Sequence, residues 1–253
     1  MSRDAEFYIG YQARAQPGIA LFVRLASAGC LALVALVGAS LPLAHALRPP
    51  ARFEYGSPVE LTGTLRARPF PRLEVPRAGH ATGTSSASSV TLVAPWKHGA
   101  DLLAAHFDGQ RVELRATLFY RDGVVLGEVE PGSIRTQAEP ADAPASEQTL
   151  GPRTLRGEIV DSKCFFGVMN PGELKPHRAC AARCISGGIP PVLCVRDGAG
   201  RASYFWLLSA RGGPVNHAVL DFVAEPVEIA GELRQHGEQL WLLADPNTYR
   251  RLE

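Results

Sequence analysis

The sequence lacks an excess of charge of either sign. It has 26 lysines and arginines against 25 aspartates and glutamates, so its formal net charge is +1. Proteins that bind nucleic acid usually present a strongly basic face to the phosphate backbone. The charge balance therefore predicts that the chain has no nucleic-acid partner.

Methionine is also scarce, and no enzymatic motif is present. The 253 residues include two methionines, but 20 prolines and 25 glycines, a composition typical of strands and loops rather than of helical bundles. No acid/base pair and no cofactor fingerprint stands out. The sequence therefore favours a mainly β protein that is not an enzyme.

Charged residues are absent from Leu25 to Leu47. A helix of this length spans about 34 Å, which is enough to cross a bilayer. We therefore predict a cytoplasmic segment over residues 1–24 and a transmembrane helix over residues 25–47. Three arginines precede the apolar run (Arg3, Arg14 and Arg24) and two follow it (Arg48 and Arg52), a small difference. A cytoplasmic N-terminus is predicted mainly because it places the cysteine-bearing part of the chain in an oxidising compartment.

The alternative to an anchor is a signal peptide cleaved after Ala46, because Ala44-His45-Ala46 fits an Ala-x-Ala site. A leader of 24 residues before the apolar run is long for a signal peptide, so we favour a retained anchor. The aromatic segment at residues 7–11 is a candidate docking strip for a membrane partner, or else a disordered tail.

One strand pattern recurs four times, with an aliphatic residue at each end and a small residue at its centre. The period-two alternation predicts half-buried strands. The four copies are Leu61–Leu65, Leu114–Leu118, Leu155–Ile159 and Ile229–Leu233. They fall in pairs within two segments of similar layout, which predicts domains at 59–135 and 153–247 joined by an Ala/Pro/Glu linker at 136–152.

Each segment runs from a bent opening strand through further strands to a short helix and a closing hairpin. The predicted helices are Gly99–Phe107 and Val215–Phe222, and the hairpins turn at Asp122-Gly123 and His236-Gly237. This order resembles the OB-fold, a small five-stranded barrel. The predicted fold is thus mainly β, with an N-terminal transmembrane helix followed by two OB-fold-like barrels that carry short helices.

The first of these segments has no cysteine, whereas the second carries four. Residues Pro176–Ile185 favour a short helix that ends at Gly187-Gly188. On this helix His177, Cys180 and Cys184 share one stripe. Cys164 follows a predicted strand, so the helix is expected to fold back beside it.

Three interpretations of this cluster stay open. The first is disulfide bonding among Cys164, Cys180, Cys184 and Cys194, with Cys164 to a helix cysteine as the natural bridge. The second is a metal site formed by Cys164, His177, Cys180 and Cys184, whose sulfur and imidazole ligands suit copper, zinc or an iron–sulfur cluster. The third is a reactive thiol at Cys164, activated by Lys163 or His177.

The spacing of Cys180 and Cys184 with a nearby histidine is similar to that of copper-handling proteins, although here the histidine precedes the pair. The block from Gly157 to Pro191 resembles segments of uncharacterised bacterial membrane-anchored proteins, to which no activity is attached. The apolar anchor and the cysteine-bearing domain predict a single-pass protein of the bacterial inner membrane with its bulk in the periplasm. The sequence thus predicts a metal- or redox-handling accessory protein, in contact with membrane lipid and a membrane protein partner; the alternative is a disulfide-stapled interaction protein.

Overall fold

A computed structural model describes residues 16–46, 51–76 and 87–252 of the chain. By their internal contacts, the residues separate into two compact units, Met1–Pro50 and Ala51–Glu253. The first unit contains the apolar helix, and the second contains both barrels. The candidate docking strip at residues 7–11 lies outside the described residues.

The apolar segment forms one long helix, α1 (Pro17–Ala46). Its first 27 residues, Pro17–Leu43, contain an 18-residue window with a mean hydropathy of 2.2, so this stretch is long and apolar enough to cross a membrane. The helix begins eight residues before the predicted Leu25. Proline suits a first helical position, and a single arginine, Arg24, does not interrupt the helix.

Within residues 51–76 and 87–136, the first barrel contains seven strands and one short helix. Its elements are β1 (Arg52–Phe53), β2 (Val59–Arg66), β3 (Arg72–Pro76), β4 (Ala87–Val93), α2 (Asp101–Ala104), a 3-10 turn (Ala105–Phe107), β5 (Arg111–Arg121), β6 (Val124–Val129) and β7 (Arg135–Thr136). Five of the strands close in the order β5-β2-β3-β4-β6-β5, and β4 and β6 run parallel. This closure confirms the first OB-fold-like barrel.

The second barrel has the same strand connectivity as the first, but a π-helical turn and a longer helix are inserted between its first two strands. Its elements are β8 (Glu147–Asp161), a π-helical turn (Cys164–Val168), α3 (Leu174–Ser186), β9 (Pro191–Arg196), β10 (Ala202–Leu208), a 3-10 turn (Leu220–Phe222), β11 (Pro226–His236), β12 (Gln239–Leu243), a second 3-10 turn (Pro246–Thr248) and β13 (Arg250–Arg251). The strands close as β8-β9-β10-β12-β11-β8, with β10 and β12 parallel. The second OB-fold-like barrel is therefore also confirmed.

Two predicted boundaries in this unit were wrong. Strand β8 begins at Glu147, inside the linker predicted for residues 136–152, because residues 147–149 pair with the far end of β11 beyond a register shift. The helix predicted at Val215–Phe222 is reduced to turns and the 3-10 turn at Leu220–Phe222. Here the Asn216 side chain donates to the carbonyls of Ile185 and Ile189, which ties the segment to the end of α3.

The glycines in the recurring strand pattern allow neighbouring strands to approach closely. A Cβ at Gly63 would lie 2.4 Å from the Glu74 carbonyl oxygen, and one at Gly157 would lie 2.3 Å from that of Cys194. Real Cβ atoms do not come so near to backbone. The small residue at the centre of the pattern is therefore required for strand packing.

The two barrels share an aromatic core. Phe70 and Phe119 of the first barrel belong to one buried cluster with Phe166, Trp206 and Trp241 of the second. The Phe70 ring stacks on Trp206 at a centroid distance of 4.9 Å. Burial of this aromatic surface holds the barrels together, and the cysteines of the predicted site belong to the same cluster.

A buried carboxylate in the first barrel predicts loss of stability in acid. Burial raises the pKa of Glu74, but hydrogen bonds from His236 and Arg66 and the charge of Arg72 bring it down to about 2. Because this pKa lies below the ordinary 4.5, the stabilisation is present above pH 4.5 and is lost as the pH falls towards 2. We expect this group to cost the protein about 2 kcal/mol between pH 7 and pH 3.

Urea unfolding at the two pH values measures this loss. In Glu74→Gln the pH-dependent part from this residue should vanish, so the variant should lose less stability than the wild type between pH 7 and pH 3. Equal losses in both proteins would show that the Glu74 ion pairs do not contribute.

Candidate metal centre

The first part of the site is built where β8 ends. The Asp161 side chain is fully buried, and its Oδ1 accepts a hydrogen bond of 2.8 Å from the backbone N–H of Cys164. This contact shapes the turn that directs Cys164 into the aromatic core. The structure thus places Cys164 just after a strand end, as predicted.

The second part of the site is one face of α3. Helix α3 begins two residues before the predicted Pro176 and ends one residue after the predicted Ile185. It buries His177 and Cys184, while Cys180 stays half-exposed. The chain leaves the helix at Gly187-Gly188, where Gly188 has a φ of 101°. Glycine adopts this left-handed conformation without the strain that a side chain brings.

Three sulfur atoms meet between the strand end and the helix. The Sγ atoms of Cys164, Cys180 and Cys184 all lie within 4.8 Å of one another. Those of Cys164 and Cys184 are 3.9 Å apart. For a metal bound to sulfur at about 2.3 Å, a tetrahedral edge is about 3.8 Å, so this spacing matches that of a thiolate site.

The sulfurs are not joined. All five cysteines of the chain lie within the described residues, and all are free thiols. The predicted disulfide use is therefore not seen in this structure. The natural bridge predicted from the sequence, Cys164 to a helix cysteine, corresponds to the 3.9 Å contact with Cys184.

The predicted ligand His177 belongs to a second, overlapping group. Its Nε2 lies 3.0 Å from Asp161 Oδ2, and His177, Asp161 and Cys164 offer ligand atoms within 4.8 Å of one another. The four predicted residues thus divide into two triplets that share Cys164. Each triplet is close enough to hold a metal ion, whereas Cys194 belongs to neither.

Sequence analysis missed two residues of the site. Asp161 carried a usable signal, since an acid at a strand end three residues before a cysteine is suited to cap a turn. Lys97 carried none, because it lies in the barrel without cysteines. Its Nζ lies 2.8 Å from Cys180 Sγ and 3.8 Å from Cys184 Sγ, so the first barrel supplies the cation beside the sulfurs.

The expected activation of Cys164 by Lys163 was wrong. The Lys163 ammonium points towards the first barrel, where it donates to the carbonyls of Ala94 and Trp96 at 2.8 and 2.7 Å. It also forms an ion pair of 2.5 Å with Glu128. These contacts hold the loop that carries Lys97, so Lys163 affects the sulfurs only through that loop.

The two buried thiols differ in electrostatic environment. A hydrogen bond from Cys164 and the nearby Lys97 ammonium lower the pKa of Cys184, against the opposite effects of burial and Asp161. Donating that hydrogen bond, together with burial and the Asp161 charge, raises the pKa of Cys164. The pair therefore favours one thiolate, at Cys184, and one thiol.

Cys194 has a different environment, since burial raises its pKa to about 12. A thiol of this kind is inert compared with the thiols of the cluster.

No known protein family and no curated protein matches the chain. The chemistry of the cluster must therefore be argued from its own geometry: three sulfur donors, one imidazole and one carboxylate in two overlapping triplets that share Cys164.

Proposed function

We propose that the chain is a membrane-anchored, extracytoplasmic accessory protein that binds a thiophilic metal ion, copper or zinc. Cys164, Cys180 and Cys184 supply the ligands, and His177 or Asp161 completes the set. The observation that carries this proposal is the meeting of three sulfurs within 4.8 Å at the junction of the two barrels. Soft thiolate ligands select copper(I) and zinc among the common metals.

The remaining ligand distinguishes the two metals. Zinc in a structural site takes four ligands, so it would draw on His177 or Asp161 in addition to the sulfurs. An iron–sulfur cluster commonly takes four cysteines, and the fourth cysteine, Cys194, lies outside the group. We therefore rank copper and zinc before a cluster.

The membrane location rests on α1, and the orientation rests mainly on the cysteines, which suit an oxidising compartment. We place the barrels in the periplasm of a bacterial cell, where a single-pass anchor keeps them at the inner membrane. Such a protein serves as a subunit or assembly factor of a membrane complex, with a membrane protein as its partner. Proteolysis of spheroplasts, which exposes only periplasmic domains, tests this orientation: the barrels should be digested from outside.

The alternative function is a stapled interaction protein, and the 3.9 Å contact between Cys164 and Cys184 favours that disulfide over any other. Metal analysis with thiol counting, on full-length protein purified without oxygen in detergent, separates the two. We expect about one metal ion per chain in the wild type. Metal should be lost in Cys180→Ala and kept in Cys194→Ala, a matched removal of a cysteine outside the group.

Two other outcomes of the same measurements would count against the metal site. A protein without metal, and with two thiols fewer than its five cysteines, would support the staple. Five free thiols, no metal and no uptake of copper(I) or zinc on titration would exclude both functions for the cluster.

A further inference from the structure

Two large apolar side chains of the first barrel project into solvent. Trp96 is 85% exposed and Leu102 is 92% exposed. Both line a groove of about 450 Å³, to which Pro95, Leu103 and Pro131 add further apolar surface. Single exposed apolar residues are normal on a protein surface, but a tryptophan and a leucine around one apolar groove indicate a contact surface.

The backbone of Trp96 is held in a conformation that tryptophan rarely adopts. Its φ is 64°, in the left-handed region that favours glycine or asparagine. The buried Lys163 ammonium donates to the Trp96 carbonyl at 2.7 Å, and the Ala94 N–H donates to the His98 carbonyl at 3.0 Å across the turn. Because these contacts hold the strained turn, the fold itself directs the indole outward.

The same turn places Lys97 beside the sulfurs, but this role does not call for an indole next to it. Glycine or asparagine at position 96 would shape the turn with less strain. The tryptophan therefore needs a separate explanation. Its exposed ring supplies one, namely contact with an apolar surface outside the chain.

The anchor determines which apolar surface is always within reach. Helix α1 ends at Ala46 and β1 begins at Arg52, so five residues join them. Five residues span at most about 18 Å, so with α1 in a bilayer the covalent chain keeps the barrels at the lipid surface. Tryptophan is enriched at this boundary, because its ring is apolar and its N–H is a hydrogen-bond donor, and leucine adds apolar area to such contacts.

We propose that Trp96 and Leu102 form an interfacial contact with the membrane, in which both side chains enter the boundary between headgroups and acyl chains. This inference rests on the membrane location in the proposed function and is independent of the metal. Asp101 is the one acid among the described residues that line the groove, so the contact desolvates little negative charge. Because Lys97 follows Trp96 and its Nζ lies 2.8 Å from Cys180 Sγ, the contact turns the half-exposed side of the cluster towards the membrane.

Quenching of tryptophan fluorescence by lipid brominated on its acyl chains tests this contact on the full-length protein. The chain has three tryptophans, and α1 contains none of them. Trp206 and Trp241 are 2% and 6% exposed and lie in the aromatic core. In nanodiscs of brominated phosphatidylcholine and phosphatidylglycerol, we expect emission to fall by about one third, the share of Trp96, relative to nanodiscs of the same lipids without bromine.

Three variants assign the quenching to the groove. Trp96→Phe should emit equally in both kinds of nanodisc, because its two remaining tryptophans are buried. Leu102→Ser keeps the indole but removes the apolar side chain beside it, and it should reduce the quenching about twofold. Met169→Ser is the matched control, since it removes another exposed apolar side chain that does not line the groove, and it should be quenched as the wild type is.

An alkaline wash of liposomes that carry the protein separates failure of the anchor from failure of the contact. A chain that is released by the wash would overturn the proposed membrane anchor and this inference with it. A chain that stays inserted, but whose Trp96 is quenched by aqueous iodide and not by brominated lipid, would overturn the interfacial contact alone and leave the groove to a protein partner. The contact is also overturned if Met169→Ser loses as much quenching as Leu102→Ser does.

Discussion

Lys163→Met is expected to lower the free energy of unfolding of the two-barrel unit by about 3–5 kcal/mol, the usual cost of breaking a buried ion pair. The Lys163 side chain is 3% exposed and satisfies two carbonyl oxygens and the Glu128 carboxylate at once. Methionine fills similar space but donates nothing. The variant therefore leaves three buried or half-buried acceptors without their donor.

Urea unfolding followed by tryptophan fluorescence measures this loss, because Trp206 and Trp241 lie in the aromatic core between the barrels. Lys175→Met is the matched control. Lys175 is 77% exposed and lies 3.9 Å from Glu225, so its removal should change stability by well under 1 kcal/mol. Equal stabilities of Lys163→Met and the wild type would mean that Lys163 does not join the barrels.

The sequence predicted the fold of each barrel because local patterns decide it. Alternation identified the strands, and Asp122-Gly123 and His236-Gly237 identified the hairpins. Strand ends were less predictable. The first residues of β8 pair across a register shift with β11, a partner almost 90 residues further along the chain.

Only part of the candidate site could be predicted, because contacts between residues far apart in the sequence leave no local pattern. His177, Cys180 and Cys184 lie on one helix, where spacing determines which side chains share a face. Lys97 reaches the sulfurs from the other barrel, and no periodicity within one segment can show a contact between residues more than 80 positions apart. Lys163 was misassigned because it precedes Cys164 in sequence, whereas its side chain leaves the turn on the opposite side.

Removal of Asp161 is expected to affect both stability and metal binding. Asp161→Ala deletes the acceptor for the Cys164 N–H and the partner of His177, both of which are buried. We expect the free energy of unfolding to fall by about 3 kcal/mol. Because carboxylates that orient metal-binding histidines contribute strongly to affinity, we also expect metal affinity to fall about 10- to 100-fold.

Asp161→Asn separates these two effects. Its side-chain oxygen can still accept from the Cys164 N–H, so the turn should keep most of its stability. The amide N–H₂ faces His177 Nε2 as a donor, which favours the opposite imidazole tautomer and disturbs only the histidine. Metal affinity should therefore fall in both variants, whereas stability should fall mainly in Asp161→Ala.

Asp221→Ala provides the control for both measurements, since Asp221 is an exposed acid outside both ligand groups and its loss should change neither quantity. Competition with a chelator of known affinity gives the metal affinities, and urea unfolding of the same samples gives the stabilities. Full metal affinity in Asp161→Ala would exclude Asp161 from the site, both as a ligand and as the residue that orients His177. Full stability in that variant would show that the Cys164 turn does not need its buried acceptor.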